Sequence, residues 1–284
     1  MPPVIDARDL TKRYGSVLAV DRACFSIEPG RIVGLIGPNG AGKTSILRAV
    51  LGLTRYEGNL RVLGRDPWRE RAALMREAAF IPDVAVLPGW LRIDRAVDFV
   101  AAIHPHFRRE RCRAMLAKTQ IPLDRRVREL SKGLRTQVHL ALAMGIDARL
   151  LVLDEPTIGL DLLARRAFYD ALVEDFMDES RTILVTTHQV EEVEKLLTDV
   201  LFVNRGRIVL DGPIESLARR YAALSVDPAR LAEARSLGPF YERPTPGRTV
   251  LYYEDADRAA LAALGDLQVP DVADLFVAKL SGGA

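Results

Sequence analysis

Eight consecutive residues, Gly37-Pro38-Asn39-Gly40-Ala41-Gly42-Lys43-Thr44, carry the clearest chemistry in this chain. They follow the apolar run 32–36 and lead into a stretch, opening at Ser45, that is apolar at helical spacing. A glycine loop between a strand and a helix is a phosphate cradle. The glycines let backbone N–H groups turn inward as a nest, and the helix N-terminus adds partial positive charge. Lys43 would reach the β- and γ-phosphates, and the Thr44 hydroxyl would ligand Mg²⁺. The other lysines are only Lys12, Lys118, Lys132, Lys195 and Lys279, so chance is a poor explanation for Lys43 at this place in the loop.

A second cluster closes the apolar run 150–153, where Asp154, Glu155 and Pro156 follow at once. Ligands in open α/β sheets lie at the carboxyl ends of strands. Asp154 there suits a water-mediated Mg²⁺ contact, and Glu155 suits polarising an attacking water. A strand ending in a solvated acidic turn is the plainer alternative, and the phosphate loop weighs against it.

These residues need strands to carry them. Strands are expected over 4–10, 23–27, 32–36, 79–81, 150–153, 182–186, 200–204 and 207–211. Several are continuous β-branched or leucine runs, which suits strands buried on both faces. Helical spacing dominates 42–51, 68–76, 93–103, 108–119, 134–146, 160–178 and 189–197. The alternation implies an α/β domain with a largely parallel core sheet, interrupted by a helical insert at about 88–146. After Arg220 the pattern restarts as strand 222–226, helix 227–237, strands 240–243 and 249–253, helix 256–264, strand 267–269 and helix 272–280. The order β-α-β-β-α-β is that of a ferredoxin-like unit. The chain therefore divides into residues 1–220 and a small accessory domain, 221–284.

Composition bounds the rest. The chain has 284 residues, 49% hydrophobic and 27% charged, with a net charge of +2, which excludes disordered, collagen-like and coiled-coil classes. No apolar run approaches the roughly 18 residues of a spanning helix. Residues 1–10 hold no apolar signal core, and two cysteines cannot make a disulfide framework, so a reducing compartment is expected. The arginines 108, 109, 111 and 113 are interrupted by Glu110 and read as a solvated face, so no nucleic-acid partner is expected. His104, His106 and His139 read as structural.

The run Leu130-Ser131-Lys132-Gly133-Leu134, with Gln137 after it, resembles the signature motif of ABC-transporter ATPases. Further motifs appear in that family's order from residue 4 to about 220. Tyr14 stands where the adenine-stacking aromatic does, Gly159-Leu160-Asp161 resembles the D-loop, and His188 matches the switch histidine. The resemblance implies a P-loop core with an antiparallel β subdomain and a helical signature subdomain. It implies Mg-ATP as the bound species, with Tyr14 and residues 37–45 on the nucleotide. Glu155 and His188 would be catalytic, and Thr44, Asp83 and Asp154 would serve the metal. Ser131, Lys132, Gly133 and Gln137 would address ATP bound by the opposite subunit, in a head-to-tail homodimer or heterodimer with a second ATPase subunit. An integral membrane permease subunit would form the translocation path, placing this chain on the cytoplasmic face of the cell membrane, or in the cytoplasm when isolated.

Three positions depart from the family pattern. Lys132 replaces glycine, Leu134 replaces glutamine, and Asp83 occupies the place of the usual glutamine. A carboxylate there can still ligand Mg²⁺, and more strongly than an amide. The end of the chain, 269–283, resembles the tails of subunits paired with export-type permeases. Two other functions stay open at this point: a non-transport ATPase of this family acting on nucleic acid or ribosomes, and a binding-only nucleotide switch.

Overall fold

The computed structural model describes residues 2–83, 87–119, 121–158, 160–176 and 181–281. The chain opens with strands β1 (Ile5–Tyr14), β2 (Val17–Ile27) and β3 (Ile32–Ile36), then helix α1 (Lys43–Val50). Next come β4 (Glu57–Val62), α2 (Arg71–Leu74) and β5 (Ala78–Ile81). The helical insert holds α3 (Ile93–Ile103), α4 (Arg109–Lys118) and α5 (Lys132–Met144). The core resumes with β6 (Leu150–Asp154), α6 (Leu162–Phe176), β7 (Thr182–Thr187), α7 (Val190–Val193), β8 (Asp199–Asn204), β9 (Arg207–Pro213) and α8 (Ile214–Arg220). The tail follows as β10 (Tyr221–Val226), α9 (Leu231–Ser236), β11 (Tyr241–Thr245), β12 (Arg248–Glu254), α10 (Arg258–Ala262), β13 (Asp266–Gln268) and α11 (Val272–Ser281).

Among the described residues the strands form three sheets. The central sheet runs β5-β6-β7-β3-β8-β9, parallel except for β9. Every residue of β3, β6 and β7 is buried, which is why β3 and β6 read as near-continuous apolar runs and β7 as an apolar run flanked by threonines. Alternate residues serve opposite faces. Val33, Leu35, Val152 and Leu184 pack with α1 and the antiparallel sheet β2-β1-β4. Ile32, Ile36, Leu151, Leu153 and Val185 pack against the helical insert and α6.

Two elements were not expected from the sequence. β4 buries only Leu60 and Val62, so the pattern that marks a core strand is missing. α8 is a short helix after Pro213 with only Leu217 buried. The helix expected over 189–197 is α7 followed by a 3-10 turn, Glu194–Leu196. The helix expected over 227–237 divides into the 3-10 turn Pro228–Arg230 and α9. Residues 177 and 178, the expected end of α6, lie outside the described residues.

The tail sheet runs β11-β12-β10-β13, antiparallel throughout. In the unit's own numbering this is 2-3-1-4, the arrangement of a split βαβ. One face packs on α9 and α10 through Leu224, Val226, Leu251, Ala234 and Leu261. The other face holds Ala223 and Tyr252 against Ala278 of α11. The same helix buries Val272 and Leu275 in the main core, and the Phe276 ring meets Phe202 of β8 edge-on at 5.2 Å. α11 therefore joins the tail sheet to the body.

Leu275→Ala should lower unfolding free energy by about 2–4 kcal/mol, the usual cost of truncating a buried leucine. Val277→Ala on the exposed side of the helix should change it by less than about 0.5 kcal/mol. Chemical denaturation of the two variants measures the difference, and equal values would mean that α11 is not packed as described.

Candidate active site

Four parallel strands deliver the chemistry to one edge. β3 ends in the loop 37–42, β5 in Asp83, β6 in Asp154 and Glu155, and β7 in Thr187 and His188. Their order in the sheet makes those carboxyl ends neighbours. They enclose a cleft of about 440 Å³ lined by residues 38–45, Asp83, Asp154, Glu155 and His188, with Ala19 and Ile158.

The loop takes its shape from two glycines with positive φ, Gly40 at 79° and Gly42 at 110°. A Cβ on Gly42 would sit 2.4 Å from the Ala19 carbonyl oxygen, so glycine is required there. Lys43 is only 7% exposed, and its Nζ donates to the carbonyls of Gly37 at 2.6 Å and Pro38 at 3.3 Å. The same ammonium lies 3.5 Å from Glu155 Oε1. These partners offset the several kcal/mol that burying a lone ammonium costs.

Asp154 is also buried. Its Oδ1 accepts the Thr186 hydroxyl at 2.8 Å, while the Thr186 oxygen accepts the Glu155 N–H at 2.9 Å. Burial pushes the Asp154 carboxyl up, and the charges of Glu155 and Asp83 push it further, against hydrogen bonds from Thr186 and Thr44. Glu155 holds a left-handed backbone, φ 47°, directly before a proline. That conformation is costly for a non-glycine residue, and the Thr186 hydrogen bond helps to fix it. Glu155 Oε2 meets His188 Nδ1 at 2.9 Å. One ammonium and one histidine thus face three carboxylates. This donor set is short of positive charge and rich in hard oxygens, which fits Mg²⁺ beside a phosphate chain.

Other sequence-identified residues lie outside the cleft lining. Tyr14 ends β1 and is 41% exposed, and Lys12 Nζ sits 4.5 Å from its ring centroid. Burial alone would raise the Tyr14 phenol, but hydrogen bonds with Ser45, Arg48 and Thr54 and the Lys12 charge bring it below its ordinary value. Ser131 caps α5, its Oγ accepting the Leu134 N–H at 3.3 Å, and Lys132 is exposed on the first turn. A Cβ on Gly133 would lie 3.4 Å from Leu160 Cδ2, so the signature turn adjoins the D-loop segment. Gln137 lies one turn further along α5, with its Oε1 buried. Asp161 caps α6 by accepting the Ala164 N–H at 2.8 Å, and Gly159 is outside the described residues. His104 Nε2 contacts the Met75 carbonyl at 3.0 Å, in keeping with a structural role. Arg108 and Arg109 pair with Asp147 and Asp98.

Sequence reasoning missed Thr186, the residue that orients both Asp154 and Glu155. It also missed Arg165, which donates to the Leu160 carbonyl and to Gln189 Oε1, at 2.8 and 2.9 Å. Thr186 is opposite Asp154 in the β6–β7 register, so only the strand order could have revealed it.

Comparison with known proteins identifies the family. The sequence model of the family described as ABC transporter matches residues 20–158. A Nod factor export ATP-binding protein I of Burkholderia pseudomallei is 34% identical over 268 residues, covering 88% of this chain and 86% of its own. Its counterpart in Cupriavidus metallidurans is 31% identical, covering 93% of this chain and 90% of its own. A solved structure described as the ATP binding subunit of an ABC transporter superposes with a TM-score of 0.69 at 24% identity, covering 76% of this chain and 92% of that one. No helix among the described residues is long and apolar enough to cross a membrane. The chain belongs to the ABC transporter family, as an ATP-binding subunit that hydrolyses ATP to power transport through a membrane permease partner.

Proposed function

We propose that the strand-end cleft binds Mg-ATP and that Glu155 is the general base of hydrolysis. The observation that carries this reading is the chain of contacts Lys43–Glu155–His188, set beside Thr44 and Asp154 at one sheet edge. The loop 37–42 and Lys43 hold the phosphates. On binding, Lys43 exchanges Glu155 Oε1 for phosphate oxygens. That oxygen becomes available to orient a water and to accept its proton as the water attacks the γ-phosphorus. The Thr44 hydroxyl and the Asp154 and Asp83 carboxylates hold the metal, with Asp154 aimed by Thr186. Mg²⁺, when bound, neutralises the phosphate oxygens and completes the charge balance of the cleft. His188 orients Glu155 and reaches the γ-phosphate.

Tyr14 offers its exposed ring to the base, and stacking of this kind tolerates any base. Ser131, Lys132, Gly133 and Gln137, with Asp161, address the nucleotide held by a second ATPase subunit. Their position outside this chain's own cleft supports a head-to-tail dimer, of two copies or of this chain with a paralogue. The partner is an integral membrane permease, and the working location is the cytoplasmic face of the membrane. The relatives named for Nod factor export support an outward direction of transport. Residues 1–220 form the nucleotide unit and 221–284 an accessory unit.

Glu155→Gln should retain nucleotide binding and lose hydrolysis by roughly 10²–10⁴, the usual worth of a placed general base. Phosphate release measures it, and wild-type turnover would remove Glu155 from that role.

Asp154→Asn tests the buried carboxylate through pH. A carboxyl raised in the folded state contributes stability that is complete below its ordinary range. That contribution is lost as pH rises through the folded value. The nucleotide-free Asn variant should therefore melt higher than wild type at pH 7, with the gap closing toward pH 4. Mg-ATP should raise the melting temperature of wild type far more than that of the variant. A pH-independent gap would contradict the raised Asp154 carboxyl.

A further inference from the structure

The segment that follows β7 is gripped at three points. His188 Nδ1 contacts Glu155 Oε2 at 2.9 Å. Gln189 Oε1 accepts from Arg165 of α6 at 2.9 Å. Six residues beyond His188, Glu194 Oε1 accepts the backbone N–H of Val272 at 2.8 Å. The first two contacts lie within the nucleotide unit. The third comes from the first residue of α11, in the tail.

The Glu194 contact is not a loose surface bond. Asp271 caps α11 through its own side chain, accepting the Asp274 N–H at 2.6 Å, and its carbonyl accepts the Leu275 N–H at 3.0 Å. Val272 is therefore the first helical position, where a backbone N–H has no partner within the helix. Glu194 supplies that partner. Around it, Val190 and Val193 of α7 are buried in the same cluster as Val272 and Leu275. Along its length α11 is also fixed to the tail sheet. Arg243 donates to both Asp274 oxygens at 2.7 and 3.0 Å, the Tyr252 hydroxyl donates to Asp274 at 3.0 Å, and Lys279 pairs with Glu254 at 2.6 Å. The tail sheet, α11, α7 and His188 thus form one continuous packed path.

We propose that the hydrogen bond from the Val272 N–H to the Glu194 carboxylate makes the last helix a positioning element for His188. The inference rests on the role given to His188 above. The tail then acts on turnover, not on nucleotide binding, because it holds Glu194, behind His188, and no described tail residue lines the cleft. A ligand or subunit that shifts the tail sheet would alter hydrolysis through this one contact. Glu194 faces the acidic side chains of Glu191, Asp271 and Asp274, so a neutral amide with the same oxygen acceptor is tolerated in its place.

The test separates the hydrogen bond from the packing. Val272→Pro removes the N–H and exchanges the isopropyl group for the ring, at the first helical position, where proline is well accommodated, and a capping residue before it commonly takes the extended geometry proline requires. Val272→Ala keeps the N–H and removes more side chain. Glu194→Ala removes the acceptor, and Glu194→Gln retains one. ATP hydrolysis by the full chain is measured for each, with thermal unfolding to establish that the protein is folded at the assay temperature. In Val272→Pro and Glu194→Ala, kcat should fall by about tenfold or more, as displacement of a catalytic group by even 1 Å can produce, while KM for ATP stays unchanged. Val272→Ala and Glu194→Gln should keep kcat within about twofold of wild type, a split that a merely structural role would not produce. If Val272→Pro is unfolded, Glu194→Ala against Glu194→Gln decides the matter alone. Equal turnover in all four variants, or an equal loss in Val272→Ala and Val272→Pro, overturns the proposal. His188→Ala in the same assay separates the two levels. An inactive His188→Ala beside fully active Val272→Pro and Glu194→Ala removes only the tail's role. A fully active His188→Ala removes the role of His188 and this inference with it.

Discussion

Lys43 carries a buried positive charge in a cleft that also holds Asp83, Asp154 and Glu155, and its ammonium lies 3.5 Å from Glu155. The rest of the site follows from that imbalance. Burial raises the carboxyl of Asp154, and the neighbouring Glu155 and Asp83 charges raise it further. Lys43 and His188 share Glu155 between them. In the proposed function, a phosphate chain with its divalent cation would supply both a partner for Lys43 and a charge for Asp154 and Asp83, and would release Glu155 for proton transfer. The charge imbalance of the cleft and the ligand proposed for it are thus linked by electrostatics.

The fold exists to hold those charges at short range. A parallel sheet places the carboxyl ends of its strands on one side, and here four strands each contribute a loop there. Helices cover one face and α1 with the antiparallel sheet covers the other, so a strand can be wholly apolar up to the residue where chemistry begins, as β6 shows at Asp154. The β6–β7 register then sets Thr186 against Asp154, and a single hydroxyl serves one carboxylate as donor and the next backbone N–H as acceptor. Glu155 can hold a left-handed backbone because that hydroxyl and the surrounding strand ends define its place.

The parts of this arrangement that lie within one sequence segment were legible in advance. The loop 37–44, the acidic pair after β6 and the fully apolar strands announce themselves by residue type and spacing. The tail's strand order also agrees with its linear pattern of elements. What the linear pattern lacked was information carried by neighbouring strands and helix ends. β4 shows only two buried side chains and is an edge of its sheet, so alternation gave no sign of it. Thr186 looks like any β-branched core residue until β7 is set beside β6. Glu194 and Val272 are 78 residues apart, and nothing in either segment marks them as partners. Tyr14, Ser131 and Asp161 stand apart from the cleft, in keeping with the roles proposed for them toward the base or a second subunit.

The central claim is that the buried ammonium of Lys43 is the counter-charge around which the nucleotide site is built. Calorimetric titration of Lys43→Ala with Mg-ATP tests it most directly, with circular dichroism as the check on folding. A point charge in contact with the β- and γ-phosphates is what the loop's N–H groups cannot replace. The account predicts a folded protein with no measurable binding at concentrations that saturate wild type. A folded Lys43→Ala variant that binds Mg-ATP with wild-type affinity would contradict it.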